Sequence, residues 1–187
     1  NGNMEKATFA AGCFWGVEAT FRRLAGVKST QVGYTGGKMD RPTYEAVCTD
    51  RTGHAEALEV TFDPQVISYH DLLEVFWSNH NPTTLNRQGP DVGSQYRSVI
   101  YFHSPEQEAQ AKTSRDAAQT RFPRPIVTEI TLAQTFWPAE EYHQQYLEKR
   151  GSRLATGGLW ENVFRLRARP IRDPRSASHG PAVRALP

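Results

Sequence analysis

Charge of either sign in excess, cysteine and long apolar runs are all scarce in this chain of 187 residues. A formal net charge of only +2 gives no electrostatic reason to expect nucleic acid or an anionic membrane surface as a partner. No apolar run approaches the roughly 20 residues that span a bilayer. The opening stretch NGNMEKATFAAG has neither a basic start nor a secretory hydrophobic segment. Two cysteines, Cys13 and Cys48, are too few for a disulfide scaffold, and a domain of this length does not need one. These absences point to a soluble protein of a reducing compartment, most simply the cytoplasm. Metal-ligand spacing is missing as well. His54 and Glu56 stand two apart in HAE, but no CxxC or HExxH accompanies them, so no metal site is expected.

What is present is a globular pattern. With 38% hydrophobic residues the chain can build one core of ordinary size. KATFAA (6–11) alternates as a strand and stops at Gly12. Phe14, Val17, Phe21 and Leu24 then recur at helical spacing, with Gly26 placed to cap that helix. A second strand is read over 27–34, followed by a long loop over 35–53 that holds Tyr44 and Cys48. AEALEVTFD (55–63) alternates cleanly and carries Glu56, by parity, onto the face of Leu58, Val60 and Phe62. The segment 68–80 reads as a helix with Ser68 as its N-cap, 81–95 as a polar loop and 96–102 as a strand. The order βαββαβ is that of an α+β, ferredoxin-like core with helices packed on its sheet. A helix over 105–119, a strand over 126–132 and a helix over 139–149 follow as additions. From residue 151 the composition turns arginine-rich, about +5 against about −3 for residues 1–150. The expected organisation is one domain over 1–150 and an irregular extension over 151–187. No aromatic-studded basic groove accompanies that extension, so it is not read as a nucleic-acid arm.

Chemistry concentrates where the first strand hands over to the first helix. Cys13 lies between Gly12 and Gly16, at a helix start whose free N–H groups and dipole favour a thiolate. A small structural cysteine would fit the same turn, but the flanking glycines also let a substrate come close to the sulfur. Phe14 and Trp15 differ by about a third of a turn, so they are not expected to face one spot. One of them could line an apolar notch beside the thiol, which would suit a thioether-like group. Glu56, if buried, would have a raised pKa and could donate a proton to a developing oxyanion, although a strand-end glutamate leaning into water fits the same position. Tyr44, Asp91 and Tyr96 sit in or beside the two long loops, where polar groups can converge. Other cysteine chemistries fail on spacing. A Cys-x5-Arg phosphatase loop needs arginine where Ala19 stands, and no Cys-x-x-Cys is present.

Taken together, GCFWG (12–16), GYTGG (33–37), YEAVC (44–48), TGHAE (52–56), NPTTLNRQGPDVGSQYRS (81–98) and AEEYHQQYL (139–147) closely resemble peptide methionine sulfoxide reductase of the A type, over about residues 5–150. The resemblance implies reduction of the S epimer of methionine sulfoxide, free or in proteins, on a ferredoxin-like core without a bound cofactor. It implies Cys13 as the nucleophile on sulfur and Glu56 as the acid. It implies Tyr44 and Tyr96 as donors to the sulfoxide oxygen, Phe14 and Trp15 as walls for the substrate methyl, and Asp91 as a residue that shapes the pocket. Many family members carry recycling cysteines near the C-terminus, whereas the segment after Leu147 here has none. The Cys13 sulfenic acid is therefore expected to be cleared by an outside thiol, either thioredoxin or glutathione with glutaredoxin, with Cys48 in its loop the less favoured resolver. The remaining partners implied are oxidised proteins, with no nucleic acid and no membrane, and the chain is expected to act as a monomer. Rival readings are a noncatalytic reader of oxidised methionine, which would need neither thiolate nor acid, and a cysteine hydrolase pairing Cys13 with His143.

Overall fold

Strand β1 (Glu5–Ala11) buries Ala7 and Phe9 against the helices, and β-strand alternation sends Ala10 to the opposite face. The computed structural model describes residues 2–154, so all but the first four residues of the expected 151–187 extension lie outside the described residues. After β1 the chain turns into α1 (Phe14–Arg22) and β2 (Val27–Thr35). The loop expected over 35–53 contains a short helix, α2 (Tyr44–Cys48), started by Thr43, whose side chain accepts from the Ala46 amide. Next come β3 (Ala55–Phe62) and α3 (Tyr69–Ser78). Ser68 caps α3 in a reciprocal capping box with Asp71, as its sequence position predicts.

The segment 81–95 is more ordered than a polar loop. It folds into a small hairpin, β4 (Arg87–Gln88) with β5 (Asp91–Val92), and a 3-10 turn over Ser94–Tyr96. Strand β6 (Ser98–Phe102), helix α4 (Pro105–Ala118), strand β7 (Glu129–Leu132) and the short β8 (Trp137–Pro138) follow. The expected helix over 139–149 is not formed as one element. A 3-10 turn over Glu141–His143 precedes α5 (Tyr146–Leu154), with Gln145 between them at φ 49°. The reason is tertiary. The Val32 amide donates to Gln144 Oε1 at 3.0 Å, and Gln144 Nε2 donates to the Val32 carbonyl at 2.9 Å, so one side chain takes the place of a neighbouring strand. Buried Glu18 accepts from the Gln145 amide at 2.6 Å. These contacts tie the segment to β2 and to α1 and override its local helical preference.

Six strands form one sheet in the order β7-β6-β1-β3-β2-β8. The inner four, β6-β1-β3-β2, are antiparallel and alternate with helices as βαββαβ, the ferredoxin-like arrangement; β7 adds in parallel beside β6. The helix-facing core centres on Phe9, whose ring lies 5.2 Å from Phe21 and 5.3 Å from Phe76. On the other face Ala10, Ala55, Ala57, Val99 and Tyr101 pack against Ala133 and Phe136. Gly26 does not cap α1, which closes at Arg23. It instead makes the left-handed turn into β2, with φ 94°.

Candidate active site

The ends of β1 and β3 and the start of α1 meet at Cys13. Gly12 makes the bend at φ +95°, and a Cβ there would lie 2.7 Å from the Gln88 side chain, so only glycine lets the hairpin close over this turn. Cys13 occupies the N-cap position of α1 and is half-buried. Its sulfur is not the thiolate that a helix start predicts. Burial pushes the thiol up to about 11, the Glu56 and Asp91 carboxyls push the same way, and the amides of Trp15 and Gly16 only partly offset them.

Glu56 is buried, at 2% exposure, on the same face as Leu58, as strand parity predicts. Its Oε1 accepts the amide of Phe14, the residue after the cysteine, at 3.2 Å. Burial raises its pKa to about 8, with Asp91 adding to the rise and the Phe14 amide opposing it. Near neutral pH both Cys13 and Glu56 hold their protons. Tyr44 opens α2 and Tyr96 ends the 3-10 turn after β5. Burial first, then for Tyr44 a hydrogen bond with Cys48 and for both the Glu56 charge, holds the two hydroxyls well above the usual phenol range, so they stay donors. Tyr96 responds to Cys13, Glu56 and Asp91, and Tyr44 to Glu56 and Tyr96, so α2, β3, the β4–β5 hairpin and the start of α1 contribute to one electrostatic cluster.

Phe14 and Trp15 take different environments but share one neighbour. Phe14 is 1% exposed and packs in the core against Tyr34, while Trp15 stays half-buried. Both rings nevertheless meet the imidazole of His143, at 5.1 and 5.6 Å between centroids. The Trp15 indole N–H donates to His143 Nδ1 at 2.9 Å, and Tyr146 stacks on the indole at 3.7 Å between centroids. Because Nδ1 accepts, the proton of neutral His143 resides on Nε2, which is buried and has no partner among the described residues. With Nδ1 taken by the indole and Nε2 protonated and unpartnered among the described residues, neither ring nitrogen of His143 is free to accept a proton from Cys13, against the hydrolase reading.

His54 is spent on structure. Nδ1 accepts the Gly37 amide at 3.0 Å and Nε2 meets the Met39 carbonyl at 2.6 Å. A Cβ on Gly37 would come within 2.3 Å of the His54 amide nitrogen, so that close approach needs glycine. Among the described residues no group of three or more His, Cys, Asp or Glu is arranged to hold a metal ion. Sequence reading missed the supports on 139–146, Glu140, His143 and Gln144. Their signal was a run of polar and aromatic residues too mixed for a plain amphipathic helix.

A sulfur that can be oxidised and reduced again, with a proton source fixed beside it, is the equipment of a thiol-dependent oxidoreductase. Comparison with known proteins narrows that class: residues 5–160 match the family model described as peptide methionine sulfoxide reductase, and the chain belongs to that family. A relative in Acidobacterium capsulatum, peptide methionine sulfoxide reductase MsrA, is 64% identical over 155 residues, covering 82% of this chain and 98% of the relative. Mxr1 from Saccharomyces cerevisiae in reduced form superposes with a TM-score of 0.76 at 36% identity, covering 79% of this chain and 86% of that one. Mxr1 in complex with Trx2 matches with a TM-score of 0.56 at 25% identity, covering 76% and 84%.

Proposed function

We propose that this chain reduces the S epimer of methionine sulfoxide, free or within proteins, to methionine, and so repairs oxidised proteins. The Cys13 sulfur attacks the sulfoxide sulfur while Glu56 gives its proton to the oxygen and the hydroxyls of Tyr44 and Tyr96 hydrogen-bond to it. The Cys13 proton replaces the one Glu56 gave up, the oxygen passes to Cys13 and the thioether leaves. Thiol plus sulfoxide thus becomes sulfenic acid plus thioether: the substrate sulfur gains the two electrons that the cysteine sulfur loses. Trp15 and Phe14 wall the methyl group, and Asp91 shapes the pocket beside them.

One observation carries this reading: the buried Glu56 carboxyl, whose pKa burial raises to about 8, accepts the backbone amide of Phe14, the residue after Cys13. The decisive assay compares S and R epimers with dithiothreitol as reductant, for wild type and Cys13→Ser. Turnover of the S epimer alone, abolished by the substitution, is the expected outcome; equal turnover of both epimers, or activity without Cys13, refutes it.

An external thiol, thioredoxin or glutathione with glutaredoxin, regenerates Cys13, with no bound cofactor. The Trx2 complex of the yeast relative supports the first of these. We place the monomeric enzyme in the cytoplasm, with oxidised proteins and its reductant as partners and neither nucleic acid nor membrane. Among the described residues no helix is long and apolar enough to cross a membrane. Intact mass after one turnover without reductant should show a gain of about 16 Da, one oxygen on Cys13. Loss of two hydrogens with a Cys13–Cys48 crosslink would instead make Cys48 the resolving thiol.

A further inference from the structure

We infer that Glu140 is a positioning residue for sulfoxide reduction, acting through Tyr44; the inference rests on the role given to Tyr44 above. Its carboxylate is bonded from two elements at once. Oε1 accepts the Tyr34 hydroxyl at 2.9 Å, and Oε2 accepts the backbone amide of Tyr44 at 3.0 Å. Tyr34 is fully buried on β2, pairs in register with Glu56 on β3, and packs its ring 5.7 Å from Phe14. Tyr44 is the first residue of α2. One side chain therefore joins the strand beside the proton donor to the helix that carries the second hydroxyl.

Helix α2 has only five residues, and its opening amides have no partner within the helix. The Thr43 hydroxyl satisfies the Ala46 amide alone. A helix this short has no stability of its own, so the direction of Tyr44 depends on what anchors its backbone. Glu140 is itself fixed, because the adjacent Ala139 amide donates to the Val32 carbonyl at 2.9 Å and Gln144 bridges Val32 and the Ala139 carbonyl. The Tyr44 ring rests 4.5 Å from the His143 ring, on the same segment. Glutamine at 140 would have one acceptor oxygen for two donors and would turn its NH2 group on the other, breaking half the bridge without changing its size. Aspartate, one methylene shorter, could not span both donors.

The test is a double-variant cycle in single turnovers on free methionine sulfoxide, using Glu140→Gln, Tyr44→Phe and the pair, with Glu140→Asp carried through the same cycle. Glu140→Gln should slow the maximal rate about tenfold with half-saturation within about twofold, and in the Tyr44→Phe background the same substitution should cost less than about twofold. A cost undiminished by Tyr44→Phe, in either the Gln or the Asp cycle, would mean that Glu140 acts on something other than the hydroxyl and overturns the inference. Tyr44→Phe at the wild-type rate would overturn the role of Tyr44 and this inference with it. A raised half-saturation with unchanged rate would also count against it, since that outcome marks Glu140 as part of substrate binding.

Discussion

At Cys13 two opposing influences act on one sulfur. The helix start offers amides that favour the thiolate, but burial and two neighbouring carboxyls outweigh them and keep the proton on sulfur up to about pH 11. Glu56 is shaped by the same burial and holds its proton to about pH 8. In the mechanism proposed above the reaction starts from a thiol and an acid, and the acid fails first as pH rises. Single-turnover sulfoxide reduction should be level on the acid side of pH 8 and fall through about pH 8 as Glu56 ionises. Glu56→Gln should be slower by about 10²-fold, in the range of general acid catalysis, and should lack that fall. A stopped-flow pH series on both proteins checks this; a wild-type rate that climbs between pH 7 and 9 would make thiolate formation, not proton donation, the controlling step. The positions of Cys13 and Glu56 were legible because a strand–glycine–cysteine–helix junction and strand parity are local rules. The protonation state of Cys13 was not legible, since desolvation depends on residues distant in sequence.

Among the elements, the segment 139–146 departs most from its local preference. Its register is set by Gln144 on Val32 and by Glu18 on Gln145, contacts between residues more than 100 apart in sequence, and no periodicity reports them. Through it His143 fixes Trp15. Losing one hydrogen bond of this kind costs about 1 kcal/mol, so His143→Phe, which keeps a ring but removes the acceptor, should raise KM for methionine sulfoxide about fivefold with little change in kcat. Steady-state kinetics with saturating dithiothreitol measures both; an unchanged KM would show that the indole holds its place by stacking on Tyr146 alone. Helix α3 behaved as written, because its cap, Ser68 with Asp71, lies within the element. Helix α2 and the β4–β5 hairpin were hidden, being too short to show a period and held by tertiary bonds such as Ser94 to Asp50.

For the whole molecule, buried titratable groups set a stability profile with a maximum on the mildly acid side. Glu56 is protonated when folded up to about pH 8 but ionises near 4.5 when unfolded, so its contribution is complete below about 4.5 and is lost as pH rises toward 8. His80 acts in the opposite direction: burial lowers it to about 4 from 6.5, its Nε2 meeting Ser98 and its Nδ1 the Phe76 carbonyl, so its contribution is lost as pH falls from about 6.5 toward 4. Thermal melts should therefore peak near pH 5 to 6, and Glu56→Gln, which keeps an acceptor for the Phe14 amide, should raise the melting temperature at pH 8 to 9 more than at pH 5. Equal gains at both pH values would mean that Glu56 is already ionised in the folded protein. In the core, Phe9→Ala should cost about 3 to 5 kcal/mol in urea unfolding, the usual penalty for emptying a fully packed aromatic site.

By itself the sequence determined the order of strands and helices, the buried side of β3, the cap of α3 and the junction that presents Cys13, because each follows from a repeat of two or 3.6 residues or from a turn only a few residues long. Only the tertiary structure decided that the sulfur rests as a thiol, that 139–145 is tied to β2 and α1 instead of forming a helix, and that Glu140, His143 and Gln144 support Tyr44 and Trp15. Those outcomes are fixed by desolvation and by hydrogen bonds that close only when distant stretches of chain are brought together.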